Sequence, residues 1–575
     1  MRWFGVVVQF AMLGVAVTPV LARSPERETI PVSIAWDVGF GSNVCVVGNH
    51  WDLGAWSPTN SIKLRWTTGN VWTGQVAVQR GTDLAYKFIG RDGASSRYGD
   101  AANVRWEAGA DRTMVIDPAP AAPMDGKTVF YYSGWTSAAL VVISGTNTSS
   151  VAMQAIGPGR SAGETLYRAD GVGEAGEGLE FVPTGWFGGQ NFWDNPPYAD
   201  WNNNYYTLLD ACLLQDGQIY NYWPTSSVSP PRMVTTLVNS TAAGIPARTN
   251  RIYLPRGYDS HAWRRYPVMY MHDGQNVFDP GGAFGSWSAD AIATREISQG
   301  RMRETIIVAI DNTAIRRSEY EPAGDTYFTG EAPGVGDAYL RYLIDNVRPT
   351  LDVNYRTLND PRNTLVGGSS MGGLISVYCG FETNVFGAVL AMSPAMTRAP
   401  NYTAALWTRA RRPGRIYLDT GTQEGNVGPG VGNYWEKPWE AYDLFLAQGY
   451  AVNDELRMVA GVGDQHNEAA WKRRLPGAFR FLLDVRDEPN LLAQQTWPPR
   501  VAHDATFSAL SCPSLRHFSY HLDAITNGSL AGAGWQDAQA SARETNPWST
   551  VTFALPGLPA GANTGFFRVQ AVPAP

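Results

Sequence analysis

A glycine-rich turn around Ser370 constrains the fold of this chain more than any other segment. Residues 364–366 form a short apolar run of strand type, Gly368 and Gly372 flank the serine, and residues 374–378 continue as a helical run. Glycines at these two positions leave space for a tight, strained turn that lifts a serine hydroxyl above a sheet. The following helix N-terminus directs backbone N–H groups towards a developing negative charge. The pattern predicts a nucleophile elbow; the alternative is a glycine-rich turn with an inert serine.

The segment around this turn alternates between strand-like and helical runs. Apolar runs of strand length occupy residues 251–254, 268–271, 305–310, 364–366, 388–391, 416–418 and 455–459. The clearest helix is predicted over residues 336–348, with Pro349 ending or kinking it. Strands that alternate with helices indicate a doubly wound, mostly parallel sheet over residues 233–488.

One histidine, His466, stands where a base for Ser370 is expected. A serine hydroxyl is a weak nucleophile and needs such a base. The chain downstream of the serine contains His466, His503, His517 and His521. Only His466 falls within the α/β segment, between the predicted strand 455–459 and a predicted helix at 468–479. We therefore predict that it is the base; a solvated surface histidine is the alternative.

Two acidic residues are candidates for orienting that histidine and stabilising its cation. Asp419 ends the predicted strand 416–418, and Glu424 lies in the loop beyond it. The chain order serine, acid, histidine is that of α/β-hydrolases. Either carboxylate could instead cap a turn or lie in solvent, and spacing alone leaves both as candidates.

A loop after the predicted strand 268–271 is a candidate for the oxyanion hole. It contains Gly274 and Gln275, and such a loop supplies one backbone N–H while the residue after the nucleophile supplies the other. We predict Met371 and Gln275 as the two donors. His272 in this loop is an alternative base, but because it precedes the serine in the chain, we interpret it as a structural or pocket residue.

The segments on either side of the α/β segment have the composition of β modules. The chain has 21 Trp, 26 Tyr and 21 Phe, and its 575 residues are enough for about three to five domains. Short alternating strands separated by turns predict a β-sandwich at 28–118 and a second at 126–224. A stiff proline-rich linker is predicted at 118–123. Residues 500–575 predict a small β-rich module.

Charge and motif content argue against several classes of protein. Lys+Arg 45 and Asp+Glu 52 give a net charge of −7 without a basic run, so no nucleic-acid partner is expected. The sequence has no HExxH, no clustered His and Cys, and no phosphate-binding loop, so no catalytic metal and no cofactor are expected. Buried free thiols, rather than a disulfide framework, are expected for Cys45, Cys212, Cys379 and Cys512.

The N-terminal residues 1–22 have the features of a secretory signal. Met1 and Arg2 precede a mostly apolar stretch that ends in Val20-Leu21-Ala22, with small residues at both specificity positions of a signal-peptidase site. We expect a cleaved signal peptide and a secreted protein, extracellular or periplasmic, with no membrane attachment after cleavage. An uncleaved anchor helix is the alternative. No later segment reaches the ~18 apolar residues that span a bilayer.

Several motifs of the α/β segment resemble the esterase family that includes esterase D, enterochelin esterase and feruloyl esterases. The matching runs are residues 251–255, 257–258, 271–276, 368–373, 418–424 and the loop around His466. The resemblance covers about 233–488 and implies an α/β-hydrolase fold and ester hydrolysis. In that family the triad acid closely follows a Gly-Thr dipeptide, here Gly421-Thr422, so the resemblance favours Glu424 over Asp419.

The first β module resembles starch-binding carbohydrate-binding modules of family 20. The matching runs are residues 53–56, 71–74, 86–89 and 105–107. The resemblance implies that Trp56, Lys87 and Trp106 form one glucan site. Flat indole rings offer an apolar platform to the C–H faces of sugars. The alternative is that these tryptophans belong to the core.

The second β module resembles family 25 starch-binding modules through its aromatic and asparagine content. Trp135 near its start and Trp193 in the run 192–195 are the residues that this resemblance implies for carbohydrate binding. An insertion at 196–200 departs from the family pattern. A β-rich spacer that binds no sugar is the alternative.

These observations together predict a secreted serine carboxylic-ester hydrolase. It would remove acetyl or feruloyl-type groups from a polysaccharide and be targeted by α-glucan-binding modules. Ser370, His466 and Glu424 would form the triad. The alternative is a glycan-binding protein with a silent hydrolase domain.

Overall fold

The structure of the protein is a computed structural model that describes most of residues 27–573. The described residues exclude 1–26, 40–41, 57, 59–60, 80–82, 93–103, 117–125, 145–146, 175, 198–203, 226, 263, 327–332, 425–433, 435, 489–491, 493–499, 504–507, 514–517, 527–535, 541–549, 555–564 and 574–575. The predicted signal peptide and the predicted linker 118–123 lie outside the described residues.

The central domain is built on one eight-stranded sheet. Its strands are β1 (Arg232–Val238), β2 (Arg248–Leu254), β3 (Val268–His272), β4 (Ile306–Ile310), β5 (Thr364–Ser369), β6 (Ala388–Met392), β7 (Arg415–Gly421) and β8 (Leu456–Gly461). They lie in the order β1-β2-β4-β3-β5-β6-β7-β8. Strand β2 pairs antiparallel with β1 and β4, and the remaining pairs are parallel. The prediction of a mostly parallel α/β sheet is confirmed.

Burial explains why these segments form interior strands. Strand β4 has the sequence Ile-Ile-Val-Ala-Ile, and all five of its residues are buried. Parallel sheets are covered by helices on both faces, so their strands are continuously apolar rather than alternating. The carboxyl ends of β3, β5, β6 and β7 meet at one edge, where the loops that carry the predicted site residues begin.

Helices accompany the sheet in the described part of the chain. They are α1 (Ala289–Ser298), α2 (Arg316–Glu319), α3 (Gly336–Tyr342), α4 (Arg348–Asn354), α5 (Met371–Glu382), α6 (Pro400–Ala405), α7 (Glu436–Ala447) and α8 (Glu468–Leu482). Short 3₁₀ turns occur at Trp51–Leu53, Gly274–Asn276, Pro361–Asn363, Met396–Arg398, Leu406–Thr408 and Val485–Asp487.

The helix predicted over 336–348 is longer than the sequence indicated. Helix α3 continues through a π-helical turn, Leu343–Val347, into α4, so the run ends at Asn354 and not at Pro349. Proline lacks a backbone N–H and crowds the preceding turn. The wider π turn ends two residues before the proline, where the hydrogen-bond pattern has to change.

The N-terminal domain is a β-sandwich, which confirms the predicted β-rich N-terminal region. Its strands are Arg27–Ala35, Ser42–Gly48, Ile62–Lys63, Arg65–Thr67, Val71–Gln79, Asp83–Asp92, Val104–Trp106 and Arg112–Val115. They form one three-stranded and one five-stranded antiparallel sheet. Between the sheets, Val44, Val46 and Phe88 are buried in a common core with Trp72.

A second β domain follows, made of two five-stranded sheets. Its strands are Lys127–Ser133, Ser137–Ser144, Asn147–Ala152, Gln154–Pro158, Thr165–Val172, Leu179–Phe187, Gln190–Trp193, Tyr205–Thr207, Ala211–Gln215 and Gln218–Tyr220. All pairs are antiparallel except Lys127–Ser133 with Ala211–Gln215, which is parallel. Its core includes Phe181 and Tyr205, whose rings stack at 5.6 Å.

Both β domains bond directly to the central domain. In the first, Ala77 N donates to Val452 O at 2.7 Å, and Val452 N donates to Gln75 O at 3.1 Å, just before β8. Lys63 of the same domain forms an ion pair with Asp443 on α7. In the second, Tyr222 just beyond the last strand donates from its hydroxyl to Glu304 at 2.9 Å. Both β domains are therefore packed directly against the central domain.

The described residues of the C-terminal segment include six strands. They are Arg500–His503, Ser508–Pro513, Phe518–Thr526, Gln536–Ala540, Thr550–Ala554 and Gly565–Pro573. These strands pair antiparallel into two three-stranded sheets. A β-rich module at 500–575 stays a prediction.

Three cysteines of the described side chains, Cys45, Cys212 and Cys379, are buried and free. None of the helices in the described part of the chain has the length and apolar content needed to cross a lipid bilayer. Groups of three or more His, Cys, Asp or Glu side chains arranged to hold a metal ion are absent from the described residues.

Candidate active site

Ser370 lies at the tip of a sharp turn between β5 and α5. Its φ of 55° and ψ of −122° are strained for a residue with a side chain. Its N–H donates to Met392 O at 3.0 Å, and its carbonyl accepts from Ala395 N at 2.9 Å, so the turn is held on the side of β6. A Cβ on Gly368 would lie 2.8 Å from the backbone carbon of Gly372. The glycines are needed because the chain passes this close to itself.

His466 and Glu424 form a hydrogen-bonded pair beside this turn. His466 Nδ1 lies 2.9 Å from Glu424 Oε2, and Glu424 is 1% exposed. An ionised carboxylate only accepts hydrogen bonds, so this contact assigns the proton to Nδ1 and leaves Nε2 as the basic nitrogen. The position of His466 is set by α8, which begins two residues later and is capped by Asn467, whose Oδ1 accepts from Ala470 N at 3.0 Å.

Glu424 is fixed by two further direct hydrogen bonds and by two side chains behind them. Glu424 Oε1 accepts from Ser393 Oγ at 2.8 Å and from Gly421 N at 2.9 Å. Ser393 Oγ accepts in turn from Trp471 Nε1 and Arg474 Nη2, each at 3.0 Å. Sequence reasoning missed Ser393, Trp471 and Arg474, because each lies on another element and matches no motif.

Asp419, the alternative acid, is engaged elsewhere. It is completely buried, and its two oxygens accept from Arg474 Nε at 2.9 Å and Nη2 at 3.1 Å. Ser393 N donates to it at 2.9 Å. Burial raises the pKa of Asp419, and the charge of Arg474 acts in the opposite direction. The geometry therefore makes Glu424 the partner of His466 and gives Asp419 the task of holding Arg474.

His272, the alternative base, is a core residue. It is 1% exposed, and its Nδ1 lies 2.9 Å from the Tyr339 hydroxyl. Its ring packs 5.3 Å from Tyr320, which brackets it on a second side. Burial lowers the pKa of His272 to about 3. A histidine that stays neutral and is enclosed by tyrosines has a structural role.

The predicted oxyanion donors come from neighbouring parallel strands. Met371 opens α5 after β5, and Gln275 lies in the 3₁₀ turn after β3. Within the described residues neither backbone N–H donates a hydrogen bond. The Gln275 side chain accepts from Asn312 N at 3.1 Å, which ties this turn to the loop after β4. Two free donors at one sheet edge suit an oxyanion hole, and their role stays a prediction.

Ser370 and Met371 open onto a cavity of about 540 Å³. Its other described lining residues are Ala314, Arg316, Arg317, Arg398 and Tyr434. The Tyr434 ring also packs 4.0 Å from the His466 ring, so one aromatic side chain connects the nucleophile's cavity to the proposed base. Sequence reasoning missed Tyr434 and the three arginines.

The predicted sugar site of the first β domain is assembled on one side of its larger sheet. The rings of Trp56 and Trp106 lie 6.4 Å apart, and Trp106 is 44% exposed. Lys87 Nζ donates to Gly109 O at 2.6 Å and lies 3.6 Å from Asp111. The three residues lie on or beside paired strands; their contact with sugar stays a prediction.

The two residues predicted in the second β domain differ in exposure. Trp193 is 55% exposed, whereas Trp135 packs 5.7 Å from Tyr131 and lies across Gly185, where a Cβ would be 2.2 Å from the indole. Other exposed aromatic residues that sequence reasoning missed lie on the same hairpin as Trp193: Trp186, Phe187 and Phe192.

A strained serine after a parallel strand and a carboxylate-oriented histidine after a later strand are the arrangement typical of serine hydrolases of the α/β-hydrolase class. Comparison with protein families makes the assignment more specific. Residues 246–503 match the sequence profile of the family described as Putative esterase, and residues 29–122 match that of the starch binding domain. The chain therefore contains a region similar to this esterase family and an N-terminal region similar to starch-binding domains.

Individual relatives match parts of the chain. An alpha-amylase of Streptomyces violaceus is 40% identical over 76 residues, 13% of this chain and 12% of the relative. The uncharacterized protein YbbA of Bacillus subtilis is 21% identical over 238 residues, 40% of this chain and 90% of the relative. An endo-1,4-beta-xylanase/feruloyl esterase of Xylanibacter ruminicola is 29% identical over 134 residues, 22% of this chain and 16% of the relative. The chain thus spans under a fifth of the amylase and of the xylanase/esterase.

Solved structures of esterases are similar to parts of the chain. The ferulic acid esterase AmCE1/Fae1A of Anaeromyces mucronatus is 23% identical, with 46% of this chain and 97% of that chain covered and a TM-score of 0.33. The enterobactin esterase FES of Shigella flexneri is 14% identical, with 62% and 89% covered and a TM-score of 0.33. The assignment comes from the two family matches and not from these likenesses.

Proposed function

We propose that the protein is a secreted serine esterase that removes acetyl or feruloyl-type groups from a polysaccharide. The single observation that carries the catalytic part is the hydrogen bond between His466 Nδ1 and buried Glu424, beside the strained turn of Ser370. A histidine oriented in this way presents Nε2 as a base, which is what a serine nucleophile requires.

The proposed reaction has two halves. Ser370 Oγ bonds to the ester carbonyl carbon while His466 Nε2 takes the hydroxyl proton, and Glu424 stabilises the resulting imidazolium. The N–H groups of Met371 and Gln275 hold the carbonyl oxygen as it becomes negative. His466 then protonates the leaving sugar oxygen as the ester C–O bond breaks. A water molecule repeats the sequence on the acyl-enzyme, which frees the acid and returns the proton to Ser370.

The starch-binding domain supports an α-glucan-like surface as the partner. Trp56, Lys87 and Trp106 are proposed to contact the sugar, with the indole rings stacking on its C–H faces. Holding the enzyme on its polymer raises the local concentration of ester groups without altering the chemistry. The feruloyl esterase named among the relatives supports a feruloyl-type acyl group, and residues 1–22 support secretion.

The second β domain is proposed as a further sugar-binding unit. Trp193 supports this, because a large aromatic side chain that is half exposed on a hairpin resembles a stacking platform. Trp135 would support the hairpin from beneath, since it packs against Gly185 of the adjacent strand.

Hydrolysis of 4-nitrophenyl acetate tests the catalytic proposal. The Ser370→Ala variant should lose at least about 10³-fold in kcat relative to the wild type, because the neighbouring hydroxyl, that of Ser369, belongs to the buried end of β5 and not to the strained position. Ser161→Ala, an exposed serine of the second β domain, is the matched control and should be fully active. Equal rates for Ser370→Ala and the wild type would instead favour a glycan-binding protein with a silent hydrolase domain.

A further inference from the structure

The cavity above Ser370 is unusual in the charge of its walls. Three of its seven described lining residues are arginines, and none of the seven carries a carboxylate. Arg316 and Arg317 come from α2, and Arg398 comes from the 3₁₀ turn Met396–Arg398 beyond β6. Two separate segments therefore bring guanidinium groups to the space where the ester must lie.

One of these arginines is held rigidly. Arg316 Nε and Nη2 donate to the two oxygens of Asp273 at 2.6 and 2.8 Å. Asp273 also accepts from Asn312 Nδ2 at 2.6 Å. Burial acts to lower the pKa of Arg316, but the bonds to Asp273 outweigh it and raise that pKa. The positive charge at the cavity wall is thus permanent, and its carboxylate partner lies behind the wall.

Glu468, another acidic residue near this edge, is not among the described residues that line the cavity. Its Oε1 accepts from Asn276 Nδ2 at 3.0 Å. Burial raises the pKa of Glu468. Among the described groups, the side chains that face Ser370 across the cavity are therefore cationic or neutral.

The chemistry of such a cavity favours an anion. Guanidinium groups form strong, often bidentate hydrogen bonds to carboxylates, and a partly enclosed site strengthens them.

We propose that the cavity selects esters that carry a carboxylate near the scissile bond. This inference rests on the proposed function and narrows its substrate class. The carboxylate lies either on the acyl group, as in the half-ester of a dicarboxylic acid, or on the alcohol, as in a uronic acid residue of a polysaccharide.

Two matched pairs of synthetic esters test the proposal and distinguish these sources. For the acyl side, the 4-nitrophenyl half-ester of adipic acid is compared with its neutral terminal amide. For the alcohol side, 4-carboxyphenyl acetate is compared with 4-carbamoylphenyl acetate. The readout is the ratio of kcat/KM for the anionic ester to kcat/KM for its neutral partner, which cancels any general loss of activity.

The wild type should prefer the anionic member of one pair. Arg317→Gln and Arg398→Gln should each lower that ratio by about tenfold, which equals about 1.4 kcal/mol, the lower end of a charge-assisted hydrogen bond. Arg409→Gln is the matched control: Arg409 is exposed and pairs with Glu382 at 3.0 Å, outside the cavity lining. Its ratio should equal that of the wild type.

Each result separates the possibilities. If the arginine substitutions lower the kcat/KM ratio only for the adipate pair, the carboxylate belongs to the acyl side. If they lower it only for the 4-carboxyphenyl acetate pair, the carboxylate belongs to the alcohol. Ratios that neither arginine substitution changes in either pair overturn the inference while the esterase function stands. If the wild type hydrolyses none of the four esters faster than Ser370→Ala does, the proposed function fails and the inference fails with it.

Discussion

At the scale of single residues, the candidate site depends on how Glu424 is held. Its two oxygens have distinct tasks, because Oε2 contacts His466 whereas Oε1 accepts from Ser393 Oγ and Gly421 N. The carboxylate therefore cannot rotate without losing hydrogen bonds in a buried place, where each lost bond costs about 1–3 kcal/mol. His466 is oriented by the fold before any substrate arrives.

The Glu424→Gln substitution should reduce kcat for 4-nitrophenyl acetate by about 10²–10⁴-fold. The amide is nearly isosteric, but its NH₂ group can donate to Nδ1, which favours the tautomer with the proton on Nε2. The melting temperature should change little by comparison. Wild-type kcat in the Glu424→Gln variant would show that this residue does not orient the base.

Asp419→Asn is the matched comparison and should have the opposite profile. It leaves the buried guanidinium of Arg474 with a weakened partner, and breaking a buried pair destabilises proteins by about 3–5 kcal/mol. Thermal unfolding should therefore occur at a lower temperature. A loss of kcat as large as that of Glu424→Gln, with no loss of stability, would reverse the roles assigned to the two acids.

His272 predicts a pH dependence of stability. Its pKa is lowered to about 3 in the folded protein, against about 6.5 in an unfolded chain, because burial disfavours the cation. Between these values the unfolded state binds the extra proton, so stability falls as pH falls through that window, by about 1.4 kcal/mol per pH unit. Between pH 7 and pH 5, urea unfolding should show a loss about 2 kcal/mol larger in the wild type than in His272→Gln. Equal losses would contradict the buried neutral histidine.

The sequence could predict the residues that carry a local signature but not their supports. Ser370 was recognisable from its flanking glycines, and His466 from its place after a strand. Ser393, Tyr434 and Arg474 could not be predicted, because only tertiary packing brings them to the triad. The choice between Asp419 and Glu424 likewise needed either a family resemblance or coordinates, since both follow the same strand.

At the scale of elements, the turn between β5 and α5 is the most demanding part of the sheet edge. Gly368 lies against the backbone of Gly372. A Cβ atom on Gly372 would lie 3.2 Å from Asp273 Oδ2. The nucleophile turn therefore packs closely against the loop after β3, and the absence of a side chain at Gly372 leaves the space for this contact. Periodicity located both strands, whereas the π turn before α4 was not predictable, since its local pattern matches an ordinary helix.

Gly368→Ala should therefore damage both stability and rate. The added methyl lies 2.8 Å from backbone that cannot move independently, so we expect about 1–3 kcal/mol of destabilisation and at least a tenfold loss of kcat. Gly477→Ala is the control, because it lies within α8 and its Cβ would meet nothing within 4 Å. That variant should be fully active and up to about 1 kcal/mol more stable. Full activity in Gly368→Ala would refute the steric argument.

At the scale of the whole molecule, binding and catalysis are assigned to different domains, so they should be separable. Trp106→Ala should weaken retention on starch, by about 1–3 kcal/mol if one sugar stacks on the indole, while hydrolysis of 4-nitrophenyl acetate is unchanged. Trp407→Ala removes a tryptophan of the central domain that is even more exposed, at 58%, and should be retained like the wild type. Undiminished retention of Trp106→Ala would exclude Trp106 from the binding surface.

The contact of the first β domain with Val452 has a mechanical consequence. Backbone hydrogen bonds join the two domains in the manner of neighbouring strands, and Lys63 adds a charged tie to α7. A catalytic domain on a flexible linker would reach ester groups over a wide area of the polymer. Because the two domains are joined rigidly here, the proposed sugar-binding surface and Ser370 stay a fixed distance apart while the protein is bound.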